Sequence, residues 1–199
     1  MQSNFKQTTN GGRKMATFKI TGYHGTDKSV VDDILRDGFR CKDNKEHWLG
    51  DGIYLYKDKA LAEWWTTNPS KKHGMDIKTP VIIECSIEVD EDKVLNLCTL
   101  KGYEEYVGLY NNFLGQWKRR AKDNAEINFK QLRCAFFNCL LLSGVDIIIA
   151  PFILPDQPYM PQYFDEQHGN AMHITYPEIQ ICVFPTNQDI IKNKRLYCL

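Results

Sequence analysis

The stretch Val81–Val89, VIIECSIEV, constrains the fold more than any other. Val81, Ile83, Cys85, Ile87 and Val89 fall on one side of an extended chain, and Glu84, Ser86 and Glu88 on the other. This period of two is that of a strand with one face in a core. TFKITGY, from Thr17, alternates in the same way. GDGIYLY is a short apolar strand entered through glycines, VDIIIA a buried strand, and EIQICVF a last strand near the C-terminus. Between them lie helical patterns. Val30, Val31, Ile34 and Leu35 form a stripe capped by Ser29, with Asp32 as its capping-box partner and Gly38 as the stop. KDKALAEWW carries Ala60, Leu61, Trp64 and Trp65 on one side. Tyr103, Tyr106, Val107, Tyr110, Phe113, Leu114 and Trp117 recur at helical spacing as a core stripe, and Leu132, Phe136, Cys139 and Leu140 give a further helix. Strands and helices mix without a regular βαβ rhythm, so the class is α+β rather than a doubly wound sheet.

The 199 residues suffice for one domain with a sizeable core. The division expected is a flexible segment 1–16, polar and glycine-rich, followed by a domain over 17–199. Lys plus Arg and Asp plus Glu both number 25, so a generic polyanion binder is excluded and any nucleic acid would have to meet a local patch. The best such patch is Trp117 to Arg133, basic with interleaved aromatics, although such a run is more often the solvated face of two helices. Seven cysteines with no C-x-x-C pair suggest a reducing cytosol and no disulfide framework. His168 and His173 lack a cysteine partner or a helical frame, so no metal is expected. No apolar run reaches membrane-spanning length. The proline-rich loop Pro151 to Pro161 is a candidate contact for an acceptor or an inhibitor, and reads equally as mobile-loop filler.

G-x-G-x-x-G and the Walker A motif are absent. What the chain has instead is a spaced trio: a Tyr23-His24-Gly25-Thr26 turn, the segment WLGDGIYLYKDKALAEWW, and PEIQICVF. His24 alone reads as a buried core histidine, Tyr54 as a strand aromatic and Glu178 as a solvated strand end. Taken together, the trio resembles the catalytic domain of the poly(ADP-ribose) polymerases and diphtheria toxin, the His-Tyr-Glu class of ADP-ribosyltransferases. Gly50-Asp51-Gly52-Ile53-Tyr54 and the helix after it carry most of the resemblance, which in order and spacing covers most of Thr17 to Leu199.

The resemblance implies an ADP-ribosyltransferase fold, two packed and mainly antiparallel sheets flanked by helices around an NAD cleft. It implies NAD⁺ as co-substrate, cleaved between nicotinamide and ribose, with ADP-ribose passed to a protein or nucleic acid. His24 would bond the adenosine ribose, and Gly25 would let the backbone approach the carboxamide, with Thr26 and Gly52 lining the same slot. Tyr54 and Trp65 would sandwich the nicotinamide ring. Where many members carry a serine eight residues after the tyrosine, this chain has Ala62. The third motif starts at Glu178 or at Gln180. Period two sets both on one side of their strand with Cys182 and Phe184, and turns Ile179, Ile181 and Val183 into the core. Gln180 would hold the nicotinamide ribose and Glu178 would supply the carboxylate. Some small members of the class are cytoplasmic toxins with antitoxins or phage-defence effectors. The alternative, motivated by Gln180 and Ala62, is an inactive module that binds NAD⁺ or ADP-ribose.

Overall fold

A computed structural model describes residues 16–41, 45–68, 77–120, 128–152 and 177–199. The expected segment 1–16, apart from Ala16, lies outside these residues, as do most of the proline-rich loop, His168 and His173. The chain is α+β. Its elements run β1 (Thr17–Asp27), α1 (Val31–Asp37), β2 (Ile53–Tyr56), α2 (Lys59–Thr67), β3 (Pro80–Asp90), β4 (Val94–Asn96), α3 (Leu100–Arg120), α4 (Phe129–Leu142), β5 (Ile147–Phe152), β6 (Glu178–Val183) and β7 (Ile191–Cys198).

The strands join in one seven-stranded sheet of order β4-β5-β6-β2-β1-β3-β7. Two packed sheets were expected; among the described residues helices, not a second sheet, cover the strands. Among the described strands β4 and β5 pair in parallel and the other pairs are antiparallel. Pairing is uneven across the sheet. β1 pairs with β3 along its whole length, and β2 pairs with β6 along all of β2. Between β1 and β2 the ladder has a single pair, Tyr23 with Tyr56. The sheet is therefore two halves, β7-β3-β1 and β2-β6-β5-β4, meeting at a seam.

Apolar alternation along the strands builds a core on each face. Ile53, Leu55, Val81, Ile83, Cys85, Ile87, Ile147, Ile149, Ile181 and Val183 lie on one face, closed by Val31 and Ile34 of α1 and by Phe39. The opposite face holds Leu95, Ile148, Ala150, Cys182 and Phe184 against Phe136, Phe137 and Leu140 of α4. α2 covers the other side of β3, so Ile82 is buried as well. The α3 stripe is less of a core than expected. Tyr106, Tyr110 and Phe113 pack on Phe136, while Tyr103 and Val107 stay exposed. α4 starts where the Asn128 side chain accepts from the amides of Lys130 and Gln131 at 3.0 and 3.2 Å. Two local expectations change. Ser29 does not cap α1; Asp27 caps the short 3-10 turn Lys28–Val30 that leads into it, its carboxylate accepting from Ser29 N and also from Lys78 N and Thr79 N. The last strand is β7, which follows β6 and pairs with β3.

Candidate functional site

The seam brings the three sequence stretches together. β6, β2 and β1 are neighbours in the sheet, and each carries one stretch. His24 does not sit in a turn. Tyr23-His24-Gly25-Thr26 lies inside β1, paired residue for residue with Glu84 to Val81. One step past the Tyr23–Tyr56 pair, where the β1–β2 ladder stops, the His24 side chain takes its place. Its Nδ1 lies 2.9 Å from the Tyr54 carbonyl oxygen. A carbonyl only accepts, so Nδ1 carries the proton and Nε2 keeps its lone pair. Burial holds the imidazole pKa below its ordinary value of 6.5, against the opposing pull of the Tyr54 carbonyl.

The two side chains point to opposite sides of the sheet. The His24 ring meets Phe39 edge-on at 5.0 Å, within the first core. The Tyr54 ring packs against the second. The tyrosine hydroxyl accepts from Leu49 N and donates to the Gly50 carbonyl, both at 2.8 Å. Burial above all, then nearby Cys182, pushes its pKa well above the usual value. Trp65 is half-buried on α2. Among the described residues it makes no ring contact with Tyr54, whose nearest ring is that of His47 at 5.8 Å.

Gly25 meets α2. A Cβ there would stand 2.3 Å from Thr66 Cγ2 and 2.8 Å from the Ala62 carbonyl oxygen. The residue is glycine because the helix crosses β1 at that point, where a turn was expected. Gly52 likewise abuts β6, with Cys182 Sγ 2.2 Å from the position of its absent Cβ. Ala62 is fully buried. Thr26 is half-buried, opposite Val81.

On β6 the predicted alternation holds: Ile179, Ile181 and Val183 pack in the first core, Cys182 and Phe184 in the second. Glu178 and Gln180 share the Cys182 side. Glu178 is not a solvated strand end; it is fully buried. The Gln180 amide donates to its carboxylate. Tyr56 stands close to it: burial first, then the Glu178 charge, raises the Tyr56 pKa. Tyr56 was passed over in the sequence, although it stands on the same side of β2 as Tyr54. Also passed over were His47 and Asp51, whose side chains meet at 2.9 Å in the loop before β2. A histidine four residues before an aspartate in a glycine-flanked loop was the available signal.

Among the described residues no group of three or more His, Cys, Asp or Glu is arranged to hold a metal ion, and no helix is long and apolar enough to cross a membrane. No protein-family model matches the chain. The chain is similar to the uncharacterized protein MJ0359 of Methanocaldococcus jannaschii, 25% identical over 204 residues that cover 93% of this chain and 90% of that protein.

Proposed function

We propose that the β1–β2 seam binds NAD⁺ and that the protein is an ADP-ribosyltransferase acting on a macromolecular acceptor, protein or nucleic acid. One observation carries the reading: three stretches far apart in the chain stand on adjacent strands β1, β2 and β6, at the place where the sheet is joined by one ladder pair and the His24–Tyr54 bond. A dinucleotide meeting both rings, which lie on opposite faces of one continuous sheet, would have to part β1 from β2 and replace the His24–Tyr54 bond. Its adenosine ribose would meet His24 Nε2 on one side, and its pyridinium would lie by Tyr54, Trp65 and Gly25 on the other. Cleavage of the nicotinamide–ribose bond leaves a cationic sugar, which a nearby carboxylate stabilises. Glu178 has that chemistry. For it to act, the Gln180 amide moves from the carboxylate to a ribose hydroxyl.

A second reading, an inactive module that binds NAD⁺ or ADP-ribose, is favoured by one feature. The Glu178 carboxylate is fully buried, already engaged by Gln180 and close to Tyr56. Incubation with NAD⁺ labelled in the adenylate half separates the two. The transferase releases nicotinamide and passes label to protein or nucleic acid; the module binds NAD⁺ and releases nothing. In the first case a Glu178→Ala protein loses nicotinamide release, and full activity in that variant removes Glu178 from the chemistry. The fraction that takes up label identifies the acceptor class. An inhibitory partner of antitoxin type is part of the same proposal, as is action in the cytoplasm.

A further inference from the structure

The loop ahead of β2 is built around a histidine that the account above does not use. His47 Nδ1 lies 2.9 Å from Asp51 Oδ1. The second carboxylate oxygen of Asp51 accepts from Asn138 Nδ2 at 2.8 Å, and the Asp51 amide donates back to Asn138 Oδ1 at 2.7 Å. α4 thus grips the aspartate from both ends. Gly50, between the pair, has φ of +85°, and a Cβ there would sit 2.5 Å from Asn138 Oδ1. Only glycine reconciles that backbone with so close an approach. From the other side, the Tyr54 hydroxyl pins Leu49 and Gly50. The loop is fastened to both α4 and β2, and what it fixes is the orientation of His47.

A carboxylate on Nδ1 sets a neutral imidazole in the tautomer that leaves Nε2 as a base. Among the described residues nothing bonds Nε2, and the side chain is 22% exposed. Beside it, Trp48 is half-exposed, with the Arg133 guanidinium 4.5 Å over its ring and Phe152 edge-on at 5.5 Å. Such a shelf has the chemistry to hold a planar group. The His47 ring lies next to the ring of Tyr54, the residue proposed to flank the pyridinium.

We infer that His47, oriented by Asp51, is the general base of the transfer step, with the acceptor arriving over the Trp48 shelf. The inference rests on the NAD⁺ reading of the seam. In the step, the bond from the ribose C1′ to the nicotinamide nitrogen breaks and its electron pair leaves with nicotinamide. The acceptor's O–H or N–H gives its proton to His47 Nε2 as the new bond to C1′ forms, and the imidazolium then releases the proton to solvent. Water in place of the acceptor gives hydrolysis by the same route.

The test uses the full chain, NAD⁺ and sodium azide, an anionic nucleophile that needs no base. His47→Gln is expected to bind NAD⁺ with wild-type affinity by calorimetry and to release nicotinamide about 10²-fold more slowly in water. Azide is expected to restore turnover and yield ADP-ribosyl azide. Asp51→Asn keeps the shape but turns an N–H₂ donor toward His47 Nδ1 or Asn138 Nδ2, which disfavours the tautomer with a free Nε2; it is expected to be slowed as well and rescued in the same way, a response that mere loosening of the loop does not give. A His47→Gln protein as fast as wild type, or slowed with no gain from azide, overturns the role of His47 alone. A wild-type protein that neither binds nor cleaves NAD⁺ removes the reading of the seam, and this role with it.

Discussion

Replacing Gly25 by alanine tests the packing that makes the seam. The added methyl would stand 2.3 Å from Thr66 Cγ2 and 2.8 Å from the Ala62 carbonyl oxygen. The first contact is with a buried side chain whose hydroxyl is already committed to the carbonyls of Ala62 and Glu63 at 3.0 and 2.8 Å. The second is with helix backbone, which yields only if α2 moves. Overpacking of this kind costs about 1–3 kcal/mol. For a chain of this size each kcal/mol lowers Tm by about 2–4 °C, so the variant should melt about 2–12 °C below wild type. Thr66→Ser isolates the nearer clash. Alone it deletes one buried methyl and costs about 0.8 kcal/mol. In the Gly25→Ala background it removes the 2.3 Å contact, so it should cost less or stabilise, giving a coupling of about 0.5–3 kcal/mol. Urea unfolding of the four proteins measures the cycle. If Gly25→Ala unfolds at the wild-type midpoint, or the two changes simply add, α2 does not rest on β1 at this point and the account of the glycine is wrong.

Three further outcomes follow from the same geometry. Tyr54→Phe strands the buried Leu49 amide, whose acceptor is the tyrosine hydroxyl, and should cost about 1–3 kcal/mol by urea unfolding; an unchanged midpoint contradicts the bond. His24 has its folded pKa below the unfolded value of 6.5, so its contribution to stability is complete above that value and is lost as pH falls toward the folded pKa. Wild type should therefore lose urea resistance between neutral and mildly acid pH more steeply than His24→Gln, and equal slopes would refute this. Asn128→Ala removes the cap of α4 and should cost about 1 kcal/mol by thermal unfolding, an effect that a change within experimental error would rule out.

Much of the sheet could be read from local pattern. The alternation on β6 assigns Ile181 and Cys182 to opposite faces, and both cores bear this out. What local pattern does not carry is the cause of a residue that lies elsewhere in the chain. Gly25 looks like a turn residue because glycine is common in turns, yet its reason is a helix that crosses β1 some forty residues later. β7 was missed because it is an edge strand. Lys192, Asn193 and Arg195 are exposed, so no alternation marks it. The aromatic stripe on α3 has the right period, but Tyr103 stays exposed and Tyr106, Tyr110, Phe113 and Trp117 are only half-buried, because β4 and α4 cover one side of the helix. At the candidate site, the order of the three stretches was legible. The separation of the His24 and Tyr54 rings onto two faces was not, because it depends on the register of β1 against β2, which sets Tyr23 opposite Tyr56. Asp51 and His47 are four residues apart, but Asn138, which holds them, is eighty-seven residues away from Asp51.

Backbone hydrogen exchange with and without NAD⁺ tests the central claim most directly, because it reads the seam itself and needs no acceptor. Saturating NAD⁺ should slow exchange in peptides covering His24 to Asp27, Ile53 to Tyr56 and Glu178 to Gln180, and leave β7 unchanged. Exchange that NAD⁺ leaves untouched in all three segments, or slows only on elements remote from them, would contradict it.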